Sequence, residues 1–185
     1  VLFGSEPFSS ALRMSNIKNY KYDWVWNKNK AGNVMLAKYQ PMKVHENIII
    51  FSKKTHVYNK QMTDALPENI RPSGKEYKDR DGILGRNNWK HSDHRDNKKR
   101  NPKSIINISS VTKECNNTKR VHPTQKPVEL MEYLIKTYTN ENETVLDFTM
   151  GSGSTMVACK KLNRNGIGIE MDENYFKIAQ ERVNS

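Results

Sequence analysis

A mixed, mostly parallel β-sheet with flanking helices is the architecture that the sequence predicts. Two observations carry the prediction: a strand–helix–strand–helix alternation over the C-terminal residues, and short apolar strands within the first fifty. Val1 to Phe3 reads as a short apolar strand. Pro7 to Met14 reads as a helix opened by Ser5 and Pro7, because proline is tolerated in a helix's first turn. Tyr20 to Trp26 alternates with period two, which puts Tyr20, Tyr22, Trp24 and Trp26 on one strand face. That face is read as core, with the border of a base pocket as the alternative. Glu46 to Lys53, centred on Ile48-Ile49-Ile50-Phe51, predicts a strand buried on both faces.

Apolar periodicity vanishes between residues 54 and 104, where Lys, Arg, Asn, Asp, Gly and His dominate. Such a stretch supplies little core and is read as a basic insertion, flexible until a partner orders it, within a single domain covering 1–185. Patterning then returns. Pro127 opens a helix whose Val128, Met131, Leu134, Ile135 and Tyr138 recur at helical spacing. Thr144 to Asp147 predicts a strand, and Thr155 to Leu162 a helix. Asn165-Gly166 predicts a turn into the strand Ile167 to Glu170. Asp172 caps a last helix, with Tyr175, Phe176, Ala179 and Val183 inward.

The chain has 185 residues and a formal net charge of +11. That is room for one domain with a sizeable core, and a charge suited to a polyanion, since Lys and Arg that meet phosphates release counterions. Cys115 and Cys159 stand far apart, with no C-x-x-C spacing, so neither a disulfide framework nor a zinc site is indicated. The absence of a long apolar run or a signal-like N-terminus leads to the expectation of a cytoplasmic protein with no membrane partner. His91-Ser92-Asp93-His94 lacks further ligands at a metal-site spacing, so no metal is expected.

The strongest chemical signal is Asp147-Phe148-Thr149-Met150-Gly151-Ser152-Gly153-Ser154-Thr155, set between a strand and a helix. Glycines 151 and 153 allow a ligand to approach backbone closely where the carboxyl edge of a sheet opens. Glu170, ending the next strand, is placed to accept hydrogen bonds from both hydroxyls of a ribose. These features describe an adenosine site. In a dinucleotide fingerprint the glycines follow the strand directly and face a pyrophosphate; here Met156 replaces the third glycine and Asp147 precedes the loop. A carboxylate there repels pyrophosphate and attracts an ammonium group. There is no G-K-[ST], so a P-loop is excluded. S-adenosylmethionine fits these constraints best, and a dinucleotide remains the alternative. A second signal is His122-Pro123-Thr124-Gln125-Lys126-Pro127: two prolines pin an extended loop that presents Thr124 and Lys126, a hydroxyl and an ammonium able to hold a ligand carboxylate. Taken alone, a proline-bracketed helix entry also has a purely structural reading.

The runs HPTQKPVELMEYLI, VLDFTMGSGSTMVA and GIGIEMDENYF closely resemble bacterial and phage DNA methyltransferases that modify exocyclic amino groups, in the permuted class whose cofactor half comes last. FGSEPFSSAL, YDWVWNK, HENIIIFSK and SIINIS resemble that family's middle segments, so the resemblance covers most of the chain outside the basic insertion. It implies a Rossmann-like, S-adenosylmethionine-dependent fold, DNA as substrate, and a homodimer as a compatible assembly. By the same resemblance Asp147, Gly151 and Gly153 line the methionine end, Glu170 holds the ribose, and Thr124 and Lys126 contact the cofactor carboxylate. Phe148 and Met171 lie near the adenine or the transfer path. The insertion stands in the place of the target-recognition region; in a chain that acts on DNA its Lys90, Arg95, Lys98, Lys99, Arg100 and Lys103 are read as phosphate contacts, with a solvated charged face as the alternative for the Lys98-Lys99-Arg100 run. The chain departs from the family in lacking any [DNS]-P-P-[YFW] tetrapeptide, the element that holds the target amino group of a flipped base. The expectation is therefore an N-terminally truncated methyltransferase acting on adenine N6 before cytosine N4, with no catalytic residue in this stretch. An inert cofactor- and DNA-binding fragment is the rival reading.

Overall fold

The computed structural model describes residues 1–70, 98–110 and 121–185. Its centre is strand β3 (His45–Phe51), whose β-branched Ile48, Ile49 and Ile50 are all buried. β1 (Leu2–Gly4) and β2 (Tyr20–Asn27) flank β3, both antiparallel to it, in the registers Phe3↔Ile48 and Trp24↔Ile48. β6 (Ile105–Asn107) adds to β2 in parallel, giving the order β1-β3-β2-β6.

Helix α1 (Phe8–Ser15) connects β1 to β2 and packs on β1 and β3, with Ser9 buried. Arg13 on this helix bridges Asp23 of β2 at 2.6 Å and Glu6 at 3.0 Å. The core cluster joins Trp24, Trp26, Ile48 and Ile50 of the sheet to helix α2 (Val128–Tyr138), through Val128, Leu130, Met131, Leu134 and Ile135. Trp24 and Trp26 are 3% and 2% exposed and Tyr22 packs against the same cluster, so the aromatic face is core from Tyr22 onward, with Tyr20 outside it. Their indole N–H groups are satisfied: Trp24 donates to the Tyr138 hydroxyl at 2.6 Å and Trp26 to the Ile108 carbonyl at 2.8 Å.

β7 (Thr144–Asp147) and β8 (Asn165–Gly168) form a separate parallel pair, connected by α3 (Ser154–Lys161). Ala158 and Cys159 of α3 join the core cluster. One face of the pair sits so closely on α3 that a Cβ at Gly166 would meet Met156 Sδ at 2.9 Å. Leu146, Ile167 and, just past the strand ends, Phe148 and Ile169 are 51% to 60% exposed. Asp172 caps α4 (Glu173–Asn184), its carboxylate accepting the amides of Asn174 and Tyr175 at 2.9 and 3.1 Å.

The mixed α/β class is as the sequence predicts, but parallel pairing is less widespread. β1 and β2 run the same way, and β3 returns between them after the chain folds back through residues 28–44, so both of its ladders are antiparallel. The expected Asn165-Gly166 turn is also displaced. Asn163, at φ 55°, supplies the left-handed residue, and β8 already pairs at Asn165↔Thr144. Glu170 stands two residues beyond β8, where the Ile169 amide still donates to the Asp147 carbonyl at 2.9 Å. In α4, Ala179 is buried as expected, whereas Phe176 is 38% exposed.

Residues Lys60–Pro102 make a compact unit of their own. In its described part β4 (Thr63–Asp64) pairs antiparallel with β5 (Lys99–Arg100), and the Ala65 amide donates to the Lys98 carbonyl at 2.6 Å. His56 and Asn59 belong to the other unit: His56 lies 3.0 Å from the Tyr22 hydroxyl, and the Asn59 amide donates to the Thr137 carbonyl at 2.8 Å. Among the described residues no helix is long and apolar enough to cross a membrane.

This packing makes a testable contrast. Leu130→Ala, at a fully buried position, is expected to cost about 2–5 kcal/mol. Ile167→Gln, on the half-exposed face, should cost under about 1 kcal/mol. Urea unfolding of the two variants measures the difference.

Candidate functional site

Because β7 and β8 are adjacent and parallel, their carboxyl ends open at the same edge, the usual position of a ligand crevice in an open α/β sheet. Asp147 ends β7, and Glu170 follows β8. Both carboxylates grip the segment between them. Asp147 Oδ1 accepts the Thr149 amide at 3.1 Å, and its Oδ2 accepts the Thr155 hydroxyl at 2.6 Å. Glu170 Oε2 accepts the Gly151 amide at 2.8 Å, and Oε1 the Asp172 amide at 3.0 Å. Amide donation from Asp172 is the largest influence on Glu170; with the Gly151 amide adding to it, it outweighs desolvation and holds the carboxyl below the usual carboxylate range.

The loop has no room for side chains at its glycines. Gly151 has φ 52° and Gly153 φ 76°, a left-handed geometry that glycine adopts without strain. A Cβ on Gly151 would stand 3.3 Å from three atoms of the His122 ring, and one on Gly153 would stand 2.9 Å from Ala179 Cβ. Ser152 and Ser154 are buried, and the Arg182 guanidinium donates to the Ser152 carbonyl and hydroxyl.

The 122–127 loop meets this segment through His122. Its ring packs edge-on against Tyr175 with centroids 4.3 Å apart, and its Nδ1 lies 3.2 Å from both the Thr124 amide and hydroxyl. The sequence marks Thr124 and Lys126 in this loop and places Tyr175 only among the inward residues of the last helix, with no site role for it or for His122. The only sequence signal for them is position, one opening the loop and one in the first turn of α4. The Gln125 side-chain oxygen is buried without a hydrogen-bond partner. Lys126 Nζ lies 3.3 Å from Glu46 Oε2 and 3.4 Å from the Thr124 carbonyl, over the Phe3 ring at 5.1 Å. Phe148 and Met171 are exposed, at 60% and 94%.

The structure thus joins Gly151 directly to Glu170 and, through His122, to Thr124, with Asp147 gripping the same segment at Thr149 and Thr155; Gly153 lies in that segment against Ala179, while Lys126 turns to Glu46. Each carboxylate uses two of about four acceptor positions and keeps capacity for hydroxyl or ammonium donors. Two carboxylates at a glycine loop disfavour a pyrophosphate. Of the basic residues, Lys98, Lys99 and Lys103 are exposed and Arg100 is half-buried, whereas Lys90 and Arg95 lie outside the described residues, as do His91, Asp93, His94 and Cys115. Among the described residues no group of three His, Cys, Asp or Glu is placed to hold a metal ion.

The profile of the N6/N4 DNA methylase family matches residues 6–181. The chain belongs to the DNA methylase family. Type II methyltransferase M.HpaI of Haemophilus parainfluenzae is 35% identical to this chain over 141 residues, covering 76% of this chain and 38% of that protein. Type II methyltransferase M1.MboII of Moraxella bovis is 34% identical over 152 residues, covering 75% of this chain and 54% of that one. The solved M1.HpyAVI–SAM complex superposes with a TM-score of 0.63 at 28% identity, over 99% of this chain and 72% of the other. The chain therefore spans about half, or less, of these two curated relatives.

Two outcomes follow from this geometry. Gly153→Ala should destabilise the protein by about 2–4 kcal/mol in thermal unfolding, from a left-handed φ and a clash with Ala179 together. A lowered native pKa means that Glu170 stabilises the fold fully above the ordinary value of about 4.3, and that this is lost as pH falls through the native value. Below about pH 4.3 the melting temperature of the wild type should therefore fall more steeply with acid than that of Glu170→Gln.

Proposed function

We propose that this chain is the cofactor-holding portion of an S-adenosylmethionine-dependent DNA methyltransferase acting on an exocyclic base amino group, adenine N6 in preference to cytosine N4. The observation that carries the reading is the pair of carboxylates, Asp147 and Glu170, at the ends of adjacent parallel strands, both bonded to the loop between β7 and α3. Family membership and the likeness to the M1.HpyAVI–SAM complex support it.

The residues present fit that cofactor. Acidic groups with spare acceptor capacity border the glycine loop, and the buried Gln125 oxygen is an acceptor still lacking a donor. In this reading Asp147 takes the ammonium of the amino-acid tail, Glu170 the ribose hydroxyls, and Thr124 and Lys126 the carboxylate. Gly151 and Gly153 keep the loop close to the ligand, with Phe148 and Met171 beside the adenine or the transfer path. When bound, the sulfonium supplies an electrophilic methyl group to a nitrogen nucleophile. What this chain contributes is alignment, because a reactant held in a fixed direction reacts in an effectively unimolecular step. Lys98, Lys99, Arg100 and Lys103, with Lys90 and Arg95, are proposed to meet DNA phosphates, which makes binding salt-dependent.

Isothermal titration calorimetry with S-adenosylmethionine tests the reading. The wild type should bind, and Asp147→Asn and Glu170→Gln should each weaken binding by about 10- to 100-fold, or ~1.4–2.8 kcal/mol. Stabilisation by NAD without stabilisation by S-adenosylmethionine or its demethylated product would favour a dinucleotide enzyme and overturn the proposal. Transfer of labelled methyl to DNA, measured in parallel, separates an active chain from one that only binds.

A further inference from the structure

Three of the sequence segments that resemble the family, YDWVWNK, HENIIIFSK and HPTQKP, each send one charged residue into a single cluster. Glu46 of β3 is shared between two lysines, one on each oxygen. Oε1 accepts from Lys28 Nζ at 3.0 Å, and Oε2 faces Lys126 Nζ at 3.3 Å. The three side chains are only 18%, 21% and 23% exposed, so solvent screens them less than a surface pair. Burial raises the Glu46 pKa, but Lys126 and Lys28 outweigh it and hold the carboxyl below its usual range.

Two ammonium groups against one carboxylate leave the cluster with one positive charge uncompensated. The place where that charge is held is well defined. The Lys126 ammonium lies 5.1 Å from the Phe3 ring centroid and 5.9 Å from that of Trp26, and Trp26 is fully packed in the core. An ammonium has three donors; Glu46 Oε2 and the Thr124 carbonyl at 3.4 Å take up two, leaving a third. A lysine stem is otherwise flexible, and a flexible cation loses orientational freedom when it captures a ligand.

We propose that Glu46 is a positioning residue: anchored by Lys28, it fixes Lys126 so that the cluster's unpaired charge receives the carboxylate of the cofactor's amino-acid tail. The inference rests on the cofactor reading above. It also assigns a role to two residues outside the cofactor loops, Lys28 and Glu46, and links the four-stranded sheet to the ligand.

The test compares two ligands by calorimetry on the full chain. S-adenosylhomocysteine carries the carboxylate; 5′-methylthioadenosine has the same adenosine without the amino-acid tail. Glu46→Gln should weaken S-adenosylhomocysteine by about tenfold and change 5′-methylthioadenosine by less than about twofold. Lys28→Met should show the same selectivity to a smaller degree, and it carries the test if Glu46→Gln does not fold. A merely structural role would weaken both ligands alike, and that result overturns the proposal. So does unchanged or tighter binding of S-adenosylhomocysteine by the folded variants. A wild type that binds neither ligand refutes the cofactor reading itself, and the positioning role with it.

Discussion

The candidate site depends on one constraint: β7 and β8 are parallel neighbours, so Asp147 and the stretch leading to Glu170 emerge at the same edge. A crossover helix is needed to connect parallel strands, and the turn into α3 must be tight. Gly151 and Gly153 make that turn in left-handed conformations; Asp147 fastens it at Thr149 and Thr155, and Glu170 at Gly151 between them. Removing either glycine would push a Cβ into His122 or Ala179, so the loop's shape is fixed by packing as well as by any ligand. A site of this kind is organised before anything binds, which reduces the ordering cost of binding.

Helices α2 and α3 couple this edge to the rest of the protein. α2 rests on Trp24, Trp26, Ile48 and Ile50, while Ala158 and Cys159 of α3 belong to the same core. Pro127 starts α2 immediately after the loop that carries His122, Thr124 and Lys126, so the helix packing sets where that loop begins. His122 then closes the arrangement by lying against both Gly151 and Tyr175. The site thus draws on three connecting segments, at 122–127, 148–153 and 169–172, and on the first turn of α4.

Local patterns made much of this legible. The isoleucine run specified β3, the period-two aromatics gave β2 and its buried face, and the helical recurrence of Val128, Met131, Leu134 and Ile135 specified the packed side of α2. Asp147, the two glycines and Glu170 were readable because carboxylate–glycine–carboxylate spacing has a direct chemical meaning. Long-range facts were not readable. Nothing local shows that β3 returns between β1 and β2, since strand order depends on how residues 28–44 fold back. The partnership of Lys126 with Glu46 joins residues far apart in sequence, and His122 acquires its role only through contact with Tyr175 and Gly151. The strand boundary at Asn165 was misplaced because Asn163 supplied the left-handed turn instead.

Asp147 and Glu170 are proposed to bind one ligand between them. Backbone amide NMR of the labelled chain, titrated with S-adenosylmethionine, addresses it residue by residue. Saturable shifts concentrated at residues 147–153 and 170–172 are expected, with the 122–126 loop following and no comparable response to NAD. Absence of shifts in both carboxylate-bearing segments, or saturable shifts confined to a different part of the protein, would contradict it.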